Sequence, residues 1–494
     1  MSVTAKTTHS MDNVPTDNEK GSLHLTTTDD ARLAQLGHVQ ELKRTFSLPK
    51  HGDLADPFHS VISFIGTVAI ATSLAELASI FPTAGGQYHW VAALSPPSHR
   101  QAASWFTGWI SIGGQICLTA SAAFAGGLQL RGIISLNDDS YVPKQWQGLL
   151  FYWAVLLYAL LSNLLNTSVL AKMNLAAGVL HVVGFLALTA VIGAMSDKHS
   201  ASYVFTEVVN STGWASDGLA WLIGMLSTVY PFLGYDAAAH MAEEIPHAAR
   251  NVPIAMVGSV VANGLLGFIY CLVLLFGSGD LSSILETNTG FPFMQLFLNV
   301  TKSRAGAIVM SLVPTAIAVL ATAAGLASTS RTFWAFARDD AVPAPKFWSH
   351  VNKRLDIPVR MVLLVFVLQV LLGFLYLGST TAFNAVLAMA IIGMYLSYAL
   401  PIVYMLFCGR GSTRVEPAPF RMSRKIGIAT NIVALLWLVL AIFFSTWPNF
   451  YPVTLETMNW SIVVLAGWVV VGAVYYVVWG RKIYEGPIVD AFHG

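Results

Sequence analysis

The segment WLIGMLSTVYPFLGYDAAAHMAEE, residues 221–244, combines the apolar character of a membrane helix with residues that interrupt helices. Proline removes a backbone donor, and glycine loosens the chain, so we predict that the helix is broken around Pro231 to Gly234. Backbone groups freed inside a bilayer are tolerated where they line a cavity or contact other protein. The segment therefore predicts a membrane helix that opens to form a binding site.

The composition of the whole chain agrees with a membrane location. Of the 494 residues, 55% are hydrophobic and 11% are charged, and the mean hydropathy is +0.62, whereas about a quarter of the residues of soluble domains are charged. The net charge of +1 gives no argument for a nucleic-acid partner. The three cysteines lie in or beside apolar runs, so no disulfide framework or metal site is expected. No phosphate-binding loop occurs, so an ATP-driven pump is not favoured. Nothing else in the sequence supports a soluble enzyme, and no cofactor is expected.

Eleven apolar runs are long enough to cross a bilayer, which takes about 20 residues. They cover residues 60–81, 103–128, 148–167, 172–195, 217–241, 254–278, 305–329, 361–379, 382–408, 426–447 and 458–480. The shorter run at 288–299 predicts a helix that does not cross. These runs predict an all-α polytopic membrane protein with a polar, mostly disordered tail over residues 1–59, a transmembrane core over 60–482 and a short cytoplasmic tail over 483–494.

Lysine and arginine favour cytoplasmic loops and so predict the orientation of the chain. With the C-terminal end inside, the loops on that side carry sixteen basic residues and the opposite loops carry five. Eleven spans then place the N-terminal tail outside, although its six basic residues favour the cytoplasm. This mismatch predicts that one span is missing near residues 46–59. A receptor or a channel remains an alternative on these grounds, since the number of spans does not separate conduction from signalling.

The second half of the broken helix supplies the candidate substrate site. Tyr235 and Asp236 place an aromatic ring and a carboxylate inside or just below the membrane. A carboxylate in a membrane helix costs about 2.5–3.5 kcal/mol on insertion scales, which makes it a functional candidate. The alternative is a proline kink followed by an aspartate that reaches the cytoplasmic surface. The substrate-binding candidates are Tyr230, Pro231, Phe232, Gly234, Tyr235 and Asp236.

Charged residues near the cytoplasmic helix ends are candidates for a gate or for ion coupling. Glu76 lies within the first apolar run, and a buried carboxylate needs a cationic partner. We predict that Glu76 lies near Arg331 or Arg338 when the cytoplasmic side is closed. The alternatives are solvated helix ends and arginines that simply anchor the chain on its cytoplasmic side. The gating or coupling candidates are Glu76, Glu243, Glu244, Arg331, Arg338 and Asp339.

Three segments, taken together, resemble a known family. They are SLAELASIFPTAGGQYHWVAAL (73–94), GYDAAAHMAEEIPHAARNVPIAM (234–256) and SRTFWAFARDDAVP (330–343). They look like the fungal amino acid permeases of the amino acid–choline branch of the amino acid–polyamine–organocation superfamily, and the similarity runs from about residue 60 to residue 482.

The resemblance implies an inverted-repeat fold of five plus five helices with two further helices, twelve in all. Substrate would bind at the midplane between the interrupted first and sixth helices, and the fifth predicted span here matches the sixth. The first helix of the family is expected after LKRTFSL, where this sequence has the polar PKHGDLADPFHS. The first helix is therefore expected to be missing or truncated.

The resemblance also implies the function. It indicates a secondary active permease for amino acids or related amines such as γ-aminobutyrate and choline, coupled to protons, in the plasma membrane rather than in the vacuolar or another internal membrane. The alternative is a paralogue that does not transport, acting as a sensor, or an inactive product that lacks the first helix.

Overall fold

The computed structural model of the chain describes residues 57–489, apart from 166, 207–209, 211, 280–283, 285–286, 411–417 and 456. Residues 1–56 lie outside this description, and with them most of the predicted N-terminal tail and the position at which a span is expected to be missing. Residues 57–59 were expected in the tail, but they form the start of the first helix.

Regular secondary structure in the described residues is helical, apart from an isolated antiparallel bridge between Asn352 and Ile357. We label the helices of eight or more residues in chain order. They are α1 (Pro57–Ile80), α2 (Gln87–Leu94), α3 (Arg100–Asn137), α4 (Gln145–Asn163), α5 (Thr167–Met195), α6 (Asp217–Gly224), α7 (Ala248–Phe276), α8 (Pro292–Thr301), α9 (Arg304–Arg338), α10 (Val359–Gly378), α11 (Thr380–Tyr404), α12 (Arg424–Ser445) and α13 (Ser461–Tyr475). Shorter helical pieces are Ala201–Phe205, Leu226–Val229, Tyr230–Phe232, Ala237–His240, Ala242–Glu244, Pro345–Trp348, Met405–Gly409, Tyr476–Gly480 and Arg481–Ile483.

The prediction of an all-helical membrane protein is confirmed. Within the described ranges, ten segments are helical, long and apolar enough to cross a membrane, and they match ten of the eleven predicted spans. The other predicted span, residues 148–167, falls on α4, a helix of 19 residues whose glutamines Gln145 and Gln147 make it less apolar. The run at 288–299 corresponds to α8, whose 10 residues are about half of what a crossing requires.

The centre of the fold is built around α3 and α9, which have 38 and 35 residues. These helices pack along each other, and α3 also packs along α11. Gly114 of α3 makes the second contact close, because a Cβ atom there would lie 2.9 Å from the backbone nitrogen of Met394. Small residues allow membrane helices to approach in this way. The approach brings polar side chains of α3 and α11 to the same interior region.

The helix ends near the predicted cytoplasmic side are tied to one another. Helix α11 continues into a π-helical turn, Met405–Gly409, which leads to Arg410. Beyond residue 483, Tyr484 is fully buried, and its hydroxyl lies 2.7 Å from the Ser104 hydroxyl of α3. The tail expected from residue 483 onward therefore begins with a residue that packs into the core.

Candidate functional site

The helix that begins with α6 is broken where the sequence predicts it. The piece Tyr230–Phe232 is a 3-10 turn, Leu233 is extended with ψ of 152°, and Gly234 has φ of 93°. The helix resumes only at Ala237. In the part of the chain that the structure describes, the amides of residues 234–236 have no hydrogen-bond acceptor. The break thus leaves three neighbouring N–H groups free within a membrane segment, and the predicted interruption is confirmed.

The six candidate substrate residues divide into two groups by exposure. Tyr230 and Pro231 are exposed, and Phe232 and Gly234 are half-buried. Tyr235 and Asp236 are buried, with 7% and 2% of their surface exposed. The first group is accessible at the surface of the described residues, whereas Asp236 is enclosed by protein.

The Asp236 carboxylate is enclosed by three polar side chains. Tyr398 of α11 donates to Oδ1 at 2.7 Å, and Gln87 of α2 donates to Oδ2 at 2.7 Å. The Nε2 atom of His240 lies 3.1 Å from the same Oδ2 atom. Hydrogen bonds to a charged acceptor are among the stronger ones, which offsets the cost of burying this carboxylate.

His240 links Asp236 to two further elements. Its Nδ1 atom lies 3.1 Å from the Ala84 carbonyl oxygen, and its Nε2 atom lies 2.9 Å from Nε2 of Gln115 on α3. Gln115 in turn accepts a hydrogen bond from the Thr332 hydroxyl of α9 at 2.9 Å. The cluster of Gln87, Gln115, Asp236, His240 and Tyr398 therefore joins four parts of the fold, and we call it the buried polar cluster.

Sequence reasoning missed most of this cluster. It placed Asp236 in the site, but it gave no role there to Gln87, His240 or Tyr398. One available signal was the spacing of Asp236 and His240, because residues four apart share a helix face. No local signal marks Tyr398, which lies 162 residues from its partner Asp236.

Two ion pairs join the segment after the break to α9. Arg331 donates to Glu244 at 2.8 Å, and the Arg331 side chain is only 2% exposed. Arg338 binds both oxygens of Glu243, at 2.9 and 3.0 Å. These four gating candidates thus meet one another in the described conformation, at the end of the molecule where arginine and lysine indicate the cytoplasm.

Glu76 does not meet either of these arginines, so its predicted pairing with Arg331 or Arg338 is wrong. Arg410 binds Glu76 instead, with Nη1 at 2.9 Å from Oε1 and Nη2 on Oε2. The side chains of Glu76 and Arg410 are 0% and 5% exposed, respectively. Asn431 of α12 and the Met422 amide complete the site, at 3.1 Å each. The error arose because the π-helical turn after α11 carries Arg410 inward, whereas the sequence shows only a basic residue in a loop.

Asp339 follows α9 and contacts the same region. Its Oδ2 atom accepts the Tyr88 hydroxyl of α2 at 2.8 Å, and its Oδ1 atom lies 3.9 Å from Arg338. Burial raises the pKa of Asp339 to about 6, although the Tyr88 hydrogen bond and Arg338 act in the opposite direction. Asp339 thus supports the contact between α2 and α9 with a carboxyl group that titrates close to cytoplasmic pH.

Replacing Gly234 by alanine is expected to impair the site more than the fold. A Cβ atom there would meet only Leu118, at 3.8 Å, so space is available. The φ of 93° is unfavourable for an L-residue, at a cost of about 1–3 kcal/mol. Substrate uptake and the melting temperature of the purified protein should both fall. Gly193→Ala is the matched control, because that helical glycine also has open space around it and no unusual φ. Equal uptake by both variants would contradict the assigned role of the break.

Asp339→Asn is expected to remove part of the pH dependence of stability. The folded-state pKa is raised from 3.8 to about 6, so the folded protein takes up a proton between these values and the unfolded chain does not. The free energy of unfolding of the native protein should therefore decrease, relative to that of the variant, as pH rises from about 4 to about 6. Melting temperatures at pH 4.5 and 7.5 measure this difference. Asp340→Asn, at the exposed neighbouring position, should keep the native pH dependence.

Comparison with known proteins agrees with the resemblance noted from the three segments. The family model described as "Amino acid permease" matches residues 57–470. The "Choline transporter" of Saccharomyces cerevisiae is 29% identical over 432 residues, which cover 86% of this chain and 75% of that protein. The "Amino-acid permease BAT1" of Arabidopsis thaliana is 31% identical over 92% of this chain and 96% of its own length. The "Amino-acid permease 2" of Neurospora crassa is 29% identical over 90% and 81%. The chain therefore belongs to the amino acid permease family of multi-pass membrane transporters.

Proposed function

We propose that this chain carries an amino acid or a small organic amine across the membrane by alternating access, driven by a proton gradient. The observation that carries the proposal is the broken segment Tyr230–Gly234, whose free amides lie beside the enclosed carboxylate of Asp236. Irregular backbone at membrane depth is typical of transporter sites, where it binds charged solute groups.

The chemistry around the break suits a solute with both an anionic and a cationic group. The amides of residues 234–236 offer donors for a carboxylate or hydroxyl group. Tyr230 and Phe232 offer aromatic faces, which attract ammonium and quaternary ammonium groups. Tyr230 is held by a hydrogen bond between its hydroxyl and that of Ser121 on α3. A zwitterionic amino acid or choline would satisfy such a site.

The ion pairs beyond the break act as the cytoplasmic gate in this proposal. Glu243 with Arg338 and Glu244 with Arg331 close the path between the broken helix and α9. An exposed pair contributes about 0.2–1 kcal/mol, which is small enough to be broken and remade in each transport cycle. The Arg331 side chain is 2% exposed, so leaving it without Glu244 would cost more than separating the exposed pair.

Uptake into proteoliposomes tests this function. Radiolabelled choline, γ-aminobutyrate and a panel of L-amino acids are offered with the outside acidic and the inside alkaline. We expect saturable uptake of at least one probe, and a larger accumulation with the gradient than without it. Phe232→Ala should raise the KM for that probe, because it removes an aromatic face of the site. Phe443→Ala is the matched control, since Phe443 is 53% exposed on α12 and its ring contacts Phe444 and Trp447. Failure of every probe to enter or to bind would contradict the proposal.

We also propose the plasma membrane as the location, where uptake from outside draws on the proton gradient. A fluorescent fusion examined in fungal cells should label the cell periphery. Labelling of the vacuole alone would contradict this assignment.

A further inference from the structure

We propose that Asp236 and His240 together form the binding site of the coupling proton. The inference rests on the proposed function of a proton-driven permease and deepens it, because it names the two side chains that carry the proton. It also gives Asp236 a role other than direct contact with the solute.

The first argument is that both carboxylate oxygens of Asp236 are already taken by protein groups. Oδ1 accepts from Tyr398, and Oδ2 accepts from Gln87 and faces His240. The aromatic faces offered to a solute belong to Tyr230 and Phe232, which are more exposed than Asp236. A solute ammonium group would have to displace a donor to reach Asp236, whereas a proton needs no additional room.

The second argument comes from counting protons on the imidazole. Nδ1 of His240 faces the Ala84 carbonyl oxygen, which can only accept, so Nδ1 carries a hydrogen. Nε2 faces Oδ2 of Asp236 at 3.1 Å, with side-chain exposures of 0% and 2%. One proton shared between Nε2 and Oδ2 makes the pair neutral. Its loss would leave two acceptors facing each other and a buried negative charge, which is strongly disfavoured.

The third argument concerns the positive charges that would otherwise balance this pair. Arg331 and Arg338 already bind Glu244 and Glu243, and Arg410 binds Glu76. In the residues that the structure describes, these arginines are therefore committed elsewhere. A proton is the counter-charge that remains available to Asp236. The proton can leave when the site opens to water or when a cationic group approaches.

The fourth argument is that the proton has a route to influence the gate. With Nε2 deprotonated, it accepts from the Gln115 amide, which lies 2.9 Å away. With Nε2 protonated, the amide must turn its oxygen toward the ring. The Ser111 and Thr332 hydroxyls bond either orientation, since a hydroxyl both donates and accepts. Thr332 adjoins Arg331, so the proton changes hydrogen bonding next to a gating ion pair.

Among the other titratable groups near the cluster, Asp339 also titrates between pH 5 and 8, because burial raises its pKa to about 6, but its carboxyl group contacts Tyr88 and Arg338 rather than Asp236 or His240. Burial, followed by the charge of Arg338, lowers the pKa of His89 to about 4, so this imidazole stays neutral. Tyrosines and arginines ordinarily titrate at about pH 10 and above. The remaining carboxylates are held in ion pairs. Titratable and charged groups on the elements packed around the pair, or directly after them, include Glu76, Tyr88, His89, Tyr235, Glu243, Glu244, Arg331, Arg338, Asp339, Tyr395 and Tyr398.

Counting protons on the purified protein tests the inference without any solute. Detergent-solubilised native protein is titrated between pH 5 and 9 with a pH-indicator dye. Asp236→Asn and His240→Gln should each bind about one proton fewer than the native protein over this range. Tyr398→Phe should bind the same number but release the proton at higher pH, because the ionised carboxylate loses a donor. Ser397→Ala is the control, since its hydroxyl bonds the Met394 carbonyl of its own helix.

Transport then separates this inference from the proposed function. Accumulation driven by a pH gradient should be at least tenfold lower in Asp236→Asn than in the native protein, and it should be unchanged in Ser397→Ala. Three outcomes would overturn the proton site. They are an unchanged proton count in both Asp236→Asn and His240→Gln, native pH-driven accumulation by Asp236→Asn, and loss of probe binding in Asp236→Asn with the native proton count. If no probe is transported by the native protein, the proposed function fails, while the proton count still decides this inference. Size-exclusion profiles show which variants fold. If Asp236→Asn or His240→Gln does not fold, the proton count of the other variant and that of Tyr398→Phe still test the proton site.

Discussion

Glu76→Gln is expected to remove a large part of the stability margin of the protein. The replacement keeps the shape of the side chain but leaves Arg410 buried without its counter-charge. Removing one partner of a buried ion pair costs about 3–5 kcal/mol, and folded proteins have a margin of about 5–15 kcal/mol. The melting temperature and the yield of monodisperse protein should therefore fall sharply, and uptake should fall with them.

The matched control is Glu243→Gln, which also removes a carboxylate bound by an arginine. Its pair with Arg338 is 36% and 40% exposed, so the expected loss is within about 0.2–1 kcal/mol. The double variant Glu76→Gln with Arg410→Met should recover part of the stability, because no charge remains buried. Rescue of Glu76→Lys by Arg331→Glu or Arg338→Glu, and not by Arg410→Glu, would show that this pairing is misassigned.

Insertion of an apolar helix of about 20 residues after Leu48 is expected to raise uptake by orders of magnitude. The exposed Tyr230 and the free amides of residues 234–236 form one wall of the proposed site. The resemblance to the family implies a second wall from a first helix, at the position of PKHGDLADPFHS. A wall that offers several charge-assisted hydrogen bonds, each worth about 1.5–3 kcal/mol, would greatly strengthen solute binding.

Uptake at equal membrane abundance compares the two forms. A flexible polar insertion of the same length at the same position is the control, and it should leave uptake at the level of the chain as it stands. The apolar insertion also places the basic N-terminal tail on the cytoplasmic side, as the positive-inside rule favours. Equal and robust uptake by the chain with and without the apolar helix would contradict the prediction.

The sequence alone was sufficient to predict the features that depend on local chemistry. A run of about 20 apolar residues must be a helix in lipid, because each backbone group has to be satisfied within the segment. This reasoning located the helices, including the short α8, and family motifs indicated the architecture. The break around Pro231 to Gly234 was also predictable, because proline and glycine act on the backbone at their own positions.

The pairing of the buried charges could not be predicted from local chemistry, because it depends on how distant helices pack. Glu76 and Arg410 are 334 residues apart, and Asp236 and Tyr398 are 162 apart. Several arginines near helix ends were available to Glu76, and nothing in their spacing along the chain separates them. The choice is made by the packing of the helices, in which Arg410, directly after the π-helical turn, lies buried against Glu76. The spacing of Asp236 and His240 along one helix was a usable signal that they share a face, but the enclosure of that pair by α2, α3 and α11 follows only from packing in three dimensions.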